Sequence, residues 1–264
     1  MARDRTAVIG TGMGMKERRY SMRQQLSEFS RACKAEARGA LLGHYGLMIG
    51  GFLLAASASF ILLELSSAVF AVGGAAGIVL DSLASVLISA FAGLFQYGVS
   101  YVSLAALFGG QVSGADLLRG FRRGEADRVI RIELLPAAVS VLCGLPGEIL
   151  GLHLGKAQAG SLLYWGVTGL GILTSFVISL LFSMAPYLLI DFPDMGAAEA
   201  LRMSVRMTRR NMGKLLYLTF SFVPLFLLGL LSCGIADLWV AAYRRGAMAA
   251  AYCALAGKET GQNT

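Results

Sequence analysis

Long apolar runs separated by short polar segments dominate the chain. Between His44 and Asp116 there is no lysine or arginine, and the only acidic residues there are Glu64 and Asp81. A helix of about 20 apolar residues, rising about 1.5 Å per residue, covers the hydrocarbon core of a bilayer. The pattern therefore predicts an all-α fold, a polytopic bundle of transmembrane helices. Six spans are predicted, at about 45–65, 83–108, 134–153, 161–190, 215–233 and 236–256.

The segments that flank these spans are predicted to lie outside the hydrocarbon. Residues 1–15 are expected to form a disordered tail, 16–44 an interfacial amphipathic helix, and 257–264 a C-terminal tail. The stretch 66–82 is apolar but short and rich in glycine, and we interpret it as a long outer loop.

Prolines fall inside three of the predicted spans. Pro136 and Pro146 lie in the third span, Pro186 lies near the end of the fourth, and Pro224 lies in the fifth. Because proline removes a helical hydrogen bond and crowds the preceding turn, Pro136, Pro146 and Pro186 predict bends in their helices.

Composition and charge support a membrane protein and give it an orientation. The chain is 56% hydrophobic and only 15% charged, whereas soluble domains carry about a quarter charged residues. The net charge of +7 comes from basic blocks that flank apolar runs, which the positive-inside rule places in the cytoplasm. We therefore expect a plasma-membrane protein with both termini cytoplasmic. No basic surface is interleaved with aromatic residues, so nucleic acid is not expected as a partner.

The stretch between spans four and five predicts an amphipathic helix on the cytoplasmic surface. At 100° per residue, four arginines fall on one side of it. Basic residues near a membrane surface attract anionic lipid headgroups, with about 1 kcal/mol for each. The lipid bilayer and its anionic headgroups are thus the expected partners, and a docking surface for a protein partner or a homo-oligomer is the alternative. The stripe consists of Arg202, Arg206, Arg209 and Arg210.

Four charged residues fall inside predicted spans, namely Glu148, Asp237, Arg244 and Arg245. An arginine at the bilayer centre costs about 2.5–3.5 kcal/mol on insertion scales, and intramembrane charges therefore suggest function. A small transporter or permease component would use such a set. The alternatives are a structural charge pair, or arginines whose long side chains reach an interface.

Signals for catalysis are weak. The two histidines, His44 and His153, are far apart, and the chain has no zinc-ligand spacing, phosphate loop or Ser-His-Asp arrangement. The four cysteines lack the spacing of metal ligands. We therefore expect no enzyme activity, catalytic residue, cofactor or metal, and a structural or accessory role in the membrane.

Short motifs in the second half of the chain resemble a known family. They are Asp191 and Pro193, then Glu199, Ala200, Ser204, Asn211, Leu218, Ser221, Phe222, Leu238, Trp239, Tyr243 and Tyr252. Upstream, Ala37, Arg38, Leu42, Gly43, Gly120 and Phe121 fit the same pattern. The chain is similar, from about residue 27 onwards, to an uncharacterised family of bacterial six-helix integral membrane proteins, catalogued as domain of unknown function nine-seven-five.

The chain also departs from this family. It carries Arg210, Ala242 and Ala251 where the family has glycine, proline and phenylalanine, and the pair Arg244 and Arg245 is not part of the family pattern. The resemblance implies a six-helix topology and no assigned activity, and it supplies no catalytic residues.

Overall fold

The computed structural model of the protein is helical throughout its regular structure in the part of the chain that it describes. That part comprises residues 23–69, 75–158, 162–232 and 234–258. The predicted tail 1–15 and most of the C-terminal tail lie outside the described residues. The helices are α1 (23–40), α2 (Tyr45–Val69), α3 (Ala75–Leu107), α4 (Glu125–Gln158), α5 (Leu162–Phe182), α6 (Ala185–Asp191), α7 (Ala197–Arg210), α8 (Met212–Phe220), α9 (Val223–Leu231) and α10 (Ile235–Ala256), with a 3₁₀ helix (Gly114–Phe121) between α3 and α4.

Five stretches of the described helices are long and apolar enough to cross a membrane. Many of their large apolar side chains point outwards, among them Leu162 and Leu231, as expected where hydrocarbon surrounds the protein. The predicted class, a helical membrane bundle, is thereby confirmed. The stretches are Tyr45–Ser66, Val79–Leu107, Glu125–Gly151, Leu162–Asp191 and Met212–Leu231.

The sixth predicted span is the helix α10, which matches the predicted 236–256 within one residue. It has 22 residues, enough for about 33 Å at 1.5 Å each. With Asp237, Arg244 and Arg245 along it, α10 is not among the five apolar stretches found in the described helices.

The prediction of an outer loop at 66–82 is wrong. Helix α2 continues to Val69 and α3 begins at Ala75, so helix occupies most of this stretch, and residues 70–74 lie outside those described. The stretch was interpreted as a loop because it is too short to span a bilayer by itself, but the helices of the two flanking spans extend into it.

Two spans are interrupted, and each interruption precedes a proline. The fourth span breaks between α5 and α6, where Pro186 occupies the first turn of α6. The fifth breaks between α8 and α9, where Pro224 occupies the first turn of α9. A first-turn proline loses no hydrogen bond, because its N–H would lack a helical partner anyway. In contrast, α4 continues as one helix through Pro136 and Pro146.

The 3₁₀ helix packs against α3 through backbone contacts at two glycines. A Cβ atom on Gly98 would overlap the backbone of Leu117, and one on Gly120 would overlap the backbone of Leu94. Ser113 precedes the first residue of the 3₁₀ helix, and its backbone N–H donates to the Asp116 carboxylate at 2.9 Å. The connection between the first two hairpins is thus tightly bound to the bundle.

Helix α1 packs into the bundle beside the second interruption. Ser30 and Ser221 share a hydrogen bond of 3.2 Å between their hydroxyls, and the Lys34 ammonium donates to the Ser221 carbonyl at 3.0 Å. The same ammonium lies 4.5 Å from the centroid of the Phe222 ring. A carbonyl left without its helical partner at the break is therefore satisfied from α1. Of the interfacial helix predicted at 16–44, residues 16–22 lie outside those described.

Candidate functional site

Helix α7 presents its arginines outwards and its small residues inwards. Arg202, Arg206, Arg209 and Arg210 are all exposed. The opposite face is buried and consists of Ala200, Leu201, Ser204 and Thr208. The charges at the two ends of α7 interact favourably with its helix dipole, because Glu199 lies in the first turn and Arg209 and Arg210 lie in the last.

A hydrogen bond attaches α7 to the first interruption. The Ser204 hydroxyl donates to the Leu181 carbonyl at 2.8 Å, and Leu181 lies in the last turn of α5. Carbonyls in a final helical turn lack a partner within their own helix. Ser204 therefore satisfies a backbone group exposed by the break and positions the basic face of α7.

A groove of about 670 Å³ runs between α6, α7 and the end of α10. Two α7 arginines, Arg206 and Arg210, line it together with Lys258, and Met203, Met207 and Leu255 supply apolar walls. We call it the basic groove.

The charges in the basic groove are partly compensated. Lys258 forms an ion pair with Asp191, and the Tyr252 hydroxyl donates to the same carboxylate at 2.6 Å. Among the described residues, Arg206 and Arg210 have no ion pair. The basic groove consequently offers two uncompensated positive charges beside an apolar wall.

A second concave site lies inside the bundle, where α5 gives way to α6. It is a cavity of about 300 Å³ that contains both α10 arginines, and we call it the internal cavity. Glu133 from α4, Gln96 from α3 and Tyr187 from α6 add polar groups. The remaining lining residues include Ser179, Ser183 and Thr219, and the apolar Ile132, Pro136, Phe176, Leu180 and Met248.

Neighbouring helices hold Arg245 firmly. Its guanidinium hydrogen-bonds the side-chain oxygen of Gln96, and its backbone carbonyl accepts the Tyr187 hydroxyl at 3.1 Å. The Tyr187 ring in turn stacks on Tyr252, with centroids 5.6 Å apart. These contacts join α3, α6 and α10 at one level of the bundle.

Arg244 and Glu133 are less constrained. The Arg244 guanidinium lies 5.9 Å from the centroid of the Phe226 ring, and within the described ranges it makes no ion pair. Glu133 packs against Gly93 of α3, where a Cβ would collide with its side chain. It is near enough to Arg245 for electrostatic attraction, without forming an ion pair with any described residue.

The structure thus brings together two of the four intramembrane charges named from the sequence. Glu148 is exposed on α4 and does not line the internal cavity. Asp237 packs against Gly229 of α9, and its buried Oδ1 has no hydrogen bond to the part of the chain described.

Sequence reasoning missed Glu133, Gln96 and Tyr187. Glu133 immediately precedes the predicted third span and was not counted among the intramembrane charges, although it lies about two helical turns inside α4. Gln96 carried a usable signal, as an amide within a long apolar run.

Comparison with known proteins matches residues 167–259 to a family described as protein of unknown function (DUF975). The resemblance inferred from short motifs is confirmed over this range, which holds both α10 arginines and the whole of α7. No curated protein and no solved structure was matched.

Proposed function

Residues 167–259 belong to the DUF975 family of unknown function, and from this premise we propose that the chain is a six-span plasma-membrane protein with cytoplasmic termini. Helix α10 serves as the sixth span. Its length suffices, and its charges are accommodated by other helices, with Asp237 against Gly229 and Arg245 bonded to Gln96. Intramembrane charges are tolerated where they face the bundle interior in this way.

The basic groove supports a non-enzymatic role, the binding of anionic phospholipid on the cytoplasmic side. The carrying observation is that Arg206 and Arg210, both exposed, flank an apolar wall of Met203, Met207 and Leu255. A phospholipid has the matching chemistry, because its phosphate can pair with guanidinium groups and its acyl chains can cover the apolar wall. The orientation fits as well, since anionic lipid attracts basic residues at the cytoplasmic leaflet.

Thermal unfolding of the purified protein in a neutral detergent tests this function. Added phosphatidylglycerol should raise the unfolding temperature, because a ligand that binds only the folded state stabilises it. The Arg206→Gln/Arg210→Gln variant should lose most of this increase, whereas Arg206→Lys/Arg210→Lys should keep much of it. Zwitterionic phosphatidylcholine is the control lipid.

Equal stabilisation by the two lipids would contradict the proposal. So would an undiminished response of the glutamine variant. If that variant instead lost a protein partner or self-association while its lipid response stayed intact, the basic face would be a protein docking surface.

A further inference from the structure

We infer that the internal cavity binds a small organic carboxylate, held by Arg244 and Arg245. The site is distinct from the basic groove, and the inference does not depend on lipid binding. It gives the two α10 arginines a ligand of stated chemistry, which a transporter or permease component would require.

The charges lining the cavity favour an anion. Arginine keeps its proton in proteins, so Arg244 and Arg245 contribute two positive charges and Glu133 contributes at most one negative charge. At least one positive charge is therefore left without a counter-ion among spans that are largely apolar. A monovalent anion would neutralise it, and attraction between charges is strong in such low-dielectric surroundings.

The two arginines have different roles in binding the anion. Arg245 is held by Gln96 and by the bond from Tyr187 to its carbonyl, so its position is preorganised. Arg244 makes only the aromatic contact with Phe226 within the described residues, which leaves its planar fork of N–H donors available. A carboxylate suits that fork, because its two oxygens can accept parallel hydrogen bonds.

The walls of the cavity favour an organic anion over an inorganic one. Phe176, Leu180 and Met248 line one part of it, while Ser179 and Thr219 supply hydroxyls. A volume of about 300 Å³ lies at the lower end of the range for small-molecule pockets, about 300–1,000 Å³.

The location agrees with how membrane proteins build ligand sites. The cavity lies beside the interruption between α5 and α6, and Ser183, Ala185 and Pro186 from that interruption line it. Interrupted helices recur at the substrate sites of transporters, and irregular backbone within a membrane is tolerated where it lines a cavity.

Isothermal titration of the purified full chain in a neutral detergent tests the inference, with sodium benzoate as probe. Benzamide has nearly the same shape but no charge, and it serves as the matched ligand control. Benzoate should bind at least about tenfold more tightly than benzamide, because only the carboxylate pairs with the guanidinium groups. Equal binding of the two compounds, or no binding of benzoate, would overturn the inference.

Three variants locate the site. Arg244→Gln should abolish measurable benzoate binding, and Arg209→Gln, a change of the same kind on exposed α7, should leave it unchanged. Glu133→Gln should bind benzoate at least as tightly, and up to roughly tenfold more tightly where Glu133 is ionised, because it removes a negative charge that repels the ligand. A merely structural role for Glu133 does not predict tighter binding.

Glu133→Gln also decides the matter if Arg244→Gln does not fold. Weaker benzoate binding in Glu133→Gln would refute the assignment. A lipid source of the signal is tested by Arg206→Gln/Arg210→Gln, which should bind benzoate normally, and loss of binding in that variant would assign the anion to the basic groove instead.

Discussion

Two groups of arginines lie within residues 167–259, the range that matches the DUF975 family, and they have different surroundings. On α7 all four arginines are exposed, and the helix buries small residues beneath them. On α10, Arg245 is half-buried and Arg244 is exposed, and both line a cavity formed by helices from both halves of the chain. Both groups look alike in sequence, as basic residues among apolar ones. The packing of neighbouring helices, rather than residue type, decides which group points outwards from a surface helix and which lines the internal cavity.

The largest effect should come from the arginines that line the internal cavity. Arg245→Met removes the charged hydrogen-bond partner of Gln96 and a positive charge that attracts Glu133. Loss of a hydrogen bond to a charged group typically costs about 1.5–3 kcal/mol of the free energy of unfolding. Denaturant titration of the purified protein measures it, and Arg209→Met on α7 is the matched control. A similar loss in the two variants would erase the distinction between the groups.

A smaller effect is expected at the glycine that accommodates Glu133. In Gly93→Ala the new methyl group would lie about 3.0 Å from the Cβ of Glu133 and closer still to the rest of its side chain. Overpacking of this kind costs about 1–3 kcal/mol of stability. The control is Gly144→Ala on α4, where a Cβ meets nothing within 4 Å. If both variants unfold at the same denaturant concentration, Glu133 does not pack against α3 as described.

The attachment of α7 should matter less again. Ser204→Ala deletes the 2.8 Å hydrogen bond to the Leu181 carbonyl and should cost about 0.5–1.5 kcal/mol. Ser57→Ala is a suitable control, because the Ser57 hydroxyl only bonds the Leu54 carbonyl of its own helix at 3.1 Å. The comparison fails if Ser57→Ala proves the more harmful change in the same unfolding assay.

The smallest effect belongs to a single exposed arginine. Arg209→Gln in neutral detergent should change the free energy of unfolding by no more than about 0.5 kcal/mol, as surface substitutions usually do. A loss above 2 kcal/mol, on the order of that for a core change, would mean that α7 is covered rather than exposed.

The spans were predictable because a bilayer imposes a length and a composition on the helices that cross it. The bounds of α10 were expected to within one residue, although its charges keep it out of the five apolar stretches. Pro186 predicted a bend, and the fourth span breaks just before it. The loop assigned to 66–82 failed because a stretch too short to span a membrane by itself can still extend the helices on either side of it.

The internal cavity could not be predicted, because it depends on pairings between distant helices. Glu133 lies 54 residues from Tyr187 of α6 and 86 residues from Thr219 of α8, which share the cavity with it, and sequence periodicity gives the face of a helix without identifying its neighbour. The basic groove was half predicted. The α7 arginines were identified from their spacing. The ion pair of Lys258 with Asp191 could not be identified in that way, because it depends on how the end of α10 packs against α6.

The backbone contact between the 3₁₀ helix and α3 has a mechanical consequence. With Gly98 against Leu117 and Gly120 against Leu94, the link from the first hairpin to the second has no side-chain layer through which the two could slide. The proline-marked joints in the fourth and fifth spans differ, because polar bonds from Ser204 of α7 and from Ser30 and Lys34 of α1 hold them. Buried side chains such as Tyr187 and Phe222 also pack there, so a pivot at either joint would have to disturb both kinds of contact.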